Sequence, residues 1–83
     1  MPAVGVPPTF HGKVVLVDFS PAVRNPRIVA AAISGLVRRI EDAHGSEDEL
    51  MLRIHELVAE YDGLTARLVG RTPEAIEFAV TRQ

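Results

Sequence analysis

The chain has 83 residues, of which 47% are hydrophobic and 24% charged; it is too apolar for intrinsic disorder and too short to fill a second core. It has no cysteine, which excludes disulfides and thiolate metal sites, and its formal net charge is −2. Residues 1–45 carry five basic groups against three acidic ones and residues 46–83 carry four arginines against eight carboxylates, so the second half lacks the positive excess that phosphate binding needs.

Residues 1–12 read as an extended arm. Pro2, Pro7 and Pro8 remove backbone donors, and Gly5 and Gly12 interrupt any helix. The arm lacks the basic and apolar regions of a signal peptide, and no stretch approaches the ~18 apolar residues of a membrane span. A cysteine-free chain of this kind is expected in the cytoplasm or in a particle assembled inside the cell. Lys13-Val14-Val15-Leu16-Val17-Asp18-Phe19 then forms the strongest strand signal, a β-branched run between Gly12 and Ser20-Pro21. Its backbone needs a partner, and residues 4–6 and 9–11 are weak candidates within the chain.

The first helix is expected over residues 26–44. Asn25 is placed to cap it, Pro26 suits its first position, and Gly45 its end. Val29, Ile33, Leu36, Val37 and Ile40 share one face. The second helix starts at Ser46-Glu47-Asp48-Glu49, a capping box, and carries Leu50, Met51, Ile54, Leu57, Val58 and Tyr61 as its apolar stripe. With one glycine between them, the two are expected to form an antiparallel hairpin or a sharper corner. Asp62-Gly63 either breaks this helix, so that Thr65 caps a short helix over residues 65–69 ended by Gly70, or lies within one helix running over residues 47–69. Thr72 as cap and Pro73 at the first position predict a last helix, with Ile76, Ala79 and Val80 facing inward. The expected fold is therefore mainly α. It has an arm at residues 1–12 and a single helical domain at residues 13–83, in which one strand leads a three- or four-helix unit.

The segment Thr65-Ala66-Arg67-Leu68-Val69-Gly70-Arg71-Thr72-Pro73-Glu74-Ala75-Ile76-Glu77-Phe78-Ala79-Val80 resembles helix-turn-helix proteins, within residues 47–83. Ala66 lies four before the turn glycine Gly70, and Ile76 six after it. The resemblance implies a recognition helix over residues 73–83 and DNA contacts from Arg67, Arg71, Thr72 and Arg82. Glu74 and Glu77 would then face the bases, where carboxylates repel phosphate and no bidentate base reader is present.

His11, His44 and His55 have no ligand spacing on a common helix face, so no metal is expected. Asp18 and Ser20 lack a nucleophile elbow or an oxyanion loop, and no phosphate-cradling glycine motif is present, so neither catalysis nor a cofactor is expected. The reading that remains is a non-catalytic interaction, assembly or adaptor module, an oligomer or a partner-binding subunit. It would bind identical or different subunits through its arm and strand, with Val15, Val17 and Phe19 as contacts. A small helix-turn-helix regulator is the alternative.

Overall fold

The computed structural model describes residues 9, 10 and 12–82. Most of the arm expected at residues 1–12, including the pairing candidate at residues 4–6 and His11, lies outside the described residues. In chain order the elements are β1 (Thr9–Phe10), β2 (Lys13–Phe19), α1 (Pro26–Asp42), α2 (Glu47–Ala59), β3 (Leu64–Arg71) and β4 (Ala75–Arg82).

The helical hairpin forms as its periodicity predicts. The buried face of α1 is Val29, Ile33, Leu36, Val37 and Ile40, and α2 buries Leu50, Ile54 and Val58. Pro26 occupies the first turn of α1, but Asn25 makes no side-chain cap hydrogen bond. At the other end the left-handed residue is His44, at φ 57°, rather than Gly45. The Gly45 N–H donates to the Ile40 carbonyl at 2.8 Å and the His44 N–H to the Glu41 carbonyl at 3.1 Å, which is the Schellman pattern. Gly45 is needed for space: a Cβ there would lie 2.6 Å from Ile40 Cγ2. Ser46 caps α2 by accepting the Glu49 N–H at 3.1 Å.

The expectation of a mainly helical fold is overturned beyond residue 60. The chain breaks at Asp62-Gly63, which take φ 63° and 69°, and then forms two strands where a continued or a separate short helix and then a last helix were expected. The fold is α+β, with two helices and a mixed sheet of strand order β1-β2-β4-β3. β2 pairs parallel with β4, from Val14↔Ala75 to Phe19↔Val80. β3 pairs antiparallel with β4, with one bulge between Leu68 and Gly70. β1 adds Thr9↔Val14 and Phe10↔Lys13, as the 9–11 pairing candidate suggested for two of its residues.

Two physical terms decide the strands over the helices. The inward residues of β4 are Ile76, Phe78 and Val80, spaced by two; a helix would turn the large Phe78 away from Ile76 and Val80. β4 also supplies the backbone partners that β2 needs: the Val14 N–H donates to the Glu74 carbonyl at 2.8 Å and the Ser20 N–H to the Val80 carbonyl at 3.0 Å. The Thr72-Pro73-Glu74 signal is a turn. Thr72 Oγ1 accepts the N–H groups of Glu74 at 3.3 Å and Ala75 at 3.0 Å, the same chemistry as a helix cap. The residues that resemble helix-turn-helix proteins therefore lie in a β-hairpin, with Ala66 buried in β3 and Ile76 in β4.

The core is one apolar cluster. One sheet face contributes Val15, Val17, Phe19, Leu64, Ala66, Ile76, Phe78 and Val80, and α1 and α2 cover them with their buried stripes. No polar or charged residue is buried among the described residues.

Candidate interaction surface

The helices cover only one face of the sheet. The opposite face is built by the alternate residues of the same strands: Val14, Leu16 and Asp18 of β2, Ala75, Glu77, Ala79 and Thr81 of β4, and Thr65 and Arg67 of β3. Across the strands Val14 lies beside Ala75, Leu16 beside Glu77, and Asp18 beside Ala79. On the other side of β4, Arg67 also lies beside Ala79, so the carboxylate and the guanidinium flank one small side chain. Thr65 and Thr81 meet through their hydroxyls at 3.2 Å.

This face is more apolar than a solvated one needs to be. Val14 is 37% exposed, and Leu16, Ala75 and Ala79 are half-buried although no described element covers them. Ala75 and Ala79 keep β4 low on either side of Glu77, whose exposed side chain stands between them. Val69, the extra residue of the β3 bulge, is 49% exposed. Bulges of this kind commonly stop further pairing at a sheet edge.

The residues expected to bind a partner are placed elsewhere. The side chains of Val15, Val17 and Phe19 point under the helices and are 0%, 1% and 2% exposed; they hold the fold together, while their neighbours Val14 and Leu16 face outward. The residues expected to contact DNA are dispersed. Arg67 stands on the open face, Thr72 makes the β3–β4 turn, and Arg82 Nε pairs with Asp62 Oδ2 at 3.3 Å. Arg71 reaches back to Glu47 on α2.

Glu47 belongs to the one inter-element charge cluster with two cations among the described residues. Lys13 Nζ donates to its Oε2 at 2.8 Å, and the Arg71 guanidinium meets Oε1. Oε1 is enclosed and has no well-aligned hydrogen bond, so that contact is electrostatic. The Lys13 hydrogen bond, opposed by partial burial and aided by the Arg71 charge, holds the Glu47 carboxyl below its ordinary range.

No protein-family model, curated protein or solved structure matches the chain. Among the described residues no group of three or more histidine or carboxylate side chains is placed to hold a metal ion. His44 ends α1 and His55 lies exposed on α2. Ser20 Oγ accepts the Ala22 N–H at 3.3 Å, a local turn contact, while Asp18 faces the open side of the sheet. Among the described residues no helix is long and apolar enough to cross a membrane.

Proposed function

We propose that the chain is a non-catalytic interaction module that docks an identical or different subunit on the open face of its sheet. The observation that supports this reading is the uncovered apolar group of Val14, Leu16, Ala75 and Ala79, crossed at Glu77 by one carboxylate, on the side of the sheet opposite both helices. In a two-layer fold this face is normally polar, and an apolar strip left open on a small domain marks a contact surface. Arg67 and Asp18, at its borders, would fix orientation rather than supply most of the affinity. The compartment we assign to this assembly is the cytoplasm, in keeping with a chain that uses no cysteine.

The test is site-specific photo-crosslinking in cells. A benzophenone side chain in place of Leu16 is expected to give a discrete protein adduct. The same group in place of Leu52, which is 59% exposed on α2, is the control and is expected to give none. Sedimentation velocity of the purified protein then separates a second copy from a different subunit. An absence of adducts at Leu16, or equal adducts at both positions, overturns the reading.

A further inference from the structure

Beyond the carboxyl ends of the parallel strands β2 and β4, the chain turns twice around a single cavity of about 240 Å³. Crevices at this end of parallel strands are where sheet proteins most often hold small ligands. The cavity is about eight water volumes in size, which suits a ligand of roughly that many non-hydrogen atoms. Its floor is apolar, lined by the core residues Val23, Val29 and Leu64.

Its walls are polar and carry both charges. Arg24 and Asn25 come from the β2–α1 connection, and Tyr61 and Asp62 from the α2–β3 connection. Asn25 is not spent on capping α1. The Arg24 guanidinium makes no ion pair among the described residues. Asp62 pairs through Oδ2 with Arg82, and its carboxylate keeps lone pairs for a second donor. A ligand with one charge would match only one wall, and an apolar ligand neither.

We propose that this cavity binds a free aliphatic α-amino acid. Its carboxylate is received by Arg24 and the Asn25 amide, its ammonium by Asp62 beside the Tyr61 hydroxyl, and its side chain rests on Val23, Val29 and Leu64. The site is separate from the open sheet face and stands or falls independently of the docking proposed there.

The experiment is titration of the ¹⁵N-labelled protein with L-leucine, followed by amide shifts. Saturable shifts confined to residues 22–29 and 60–64 are expected, with a dissociation constant of about 1 mM or below. Two probes lacking one charge, 4-methylpentanoate and 3-methylbutylamine, are expected to bind roughly tenfold more weakly, the loss that one charge-assisted hydrogen bond produces. Arg24→Gln and Asp62→Asn, each shown by circular dichroism to be folded, are expected to weaken leucine by a similar factor. Asn tolerates the left-handed backbone of position 62, so that variant should keep the turn. Three results would overturn the proposal: no localised shifts, single-charge probes that bind as well as leucine, or leucine binding unchanged in both variants.

Discussion

Lys13 Nζ donates a 2.8 Å hydrogen bond to Glu47 Oε2 across thirty-four positions of the chain, tying the first turn of α2 to β2. The acid that opens α2 is therefore a strut between layers as well as a helix-start residue. Glu47→Gln should lower stability by about 1 kcal/mol, the scale of a partly exposed charge pair. The pH dependence has a definite sign. Because the folded value is lowered, the contribution is present above the ordinary value near 4.5 and is lost as pH falls through the folded value. Urea midpoints measured from pH 7 down to pH 3 should thus drop more steeply for the wild type than for Glu47→Gln.

Three glycines should respond to alanine in a fixed order. At Gly45 the new methyl meets the buried side chain of Ile40 at 2.6 Å, and about 2 kcal/mol should be lost. Gly63 has open space but φ 69°, so the cost is strain of about 1 kcal/mol. At Gly70 the obstacle is Glu77 Oε1 at 2.9 Å, the far end of a flexible side chain that can swing away. That change should fall within about 0.5 kcal/mol of neutral. Urea denaturation of the three variants checks the ranking.

Val17 and Leu16 are neighbours with opposite duties. Val17→Ala empties part of the core and should cost about 2 kcal/mol, with no direct effect on partner binding at temperatures where the domain stays folded. Leu16→Ala, at a half-buried position, should cost only about 1 kcal/mol and weaken adduct formation by a crosslinker at Ala79. Paired denaturation and crosslinking measurements distinguish the two.

Thr72→Ala removes the acceptor that gathers the Glu74 and Ala75 N–H groups in the β3–β4 turn. About 1 kcal/mol should be lost, by analogy with a helix cap, and the Tm should fall by about 4–8 °C. Thr72→Ser keeps the hydroxyl and should retain most of the stability. Thermal unfolding followed by circular dichroism reads both.

Residues 13–59 could be read from the sequence because their signals are local. The stripe from Val29 to Ile40 and the capping box at Ser46 each lie within a few turns of chain. The C-terminal third could not be read in the same way, because Thr72-Pro73-Glu74 starts a helix and a turn with the same hydrogen bonds. What separates the two is the partner: Ile76, Phe78 and Val80 become a strand face when β2 lies alongside, and β2 is sixty residues away.

The candidate surface was half legible. The run from Val14 to Val17 is apolar on both faces, so alternation alone cannot say which residues the helices will cover. Val15, Val17 and Phe19 take the covered phase of β2, and Val14 and Leu16 the outward one. The Lys13, Glu47 and Arg71 cluster leaves no periodic trace, since its members come from three elements.

The parallel β2–β4 pairing also bears on how the protein is made. β2 emerges as a sticky run of valines, yet its permanent neighbour β4 follows only sixty-one residues later. At about 5–20 residues per second, the nascent chain carries that run without its partner for several seconds. The hairpin of α1 and α2 can form in the interval and shelter the inward valines, because its contacts are short-range. Closure of the sheet then waits for β4, so truncation or ribosome stalling anywhere after α2 should yield aggregates rather than a smaller folded domain.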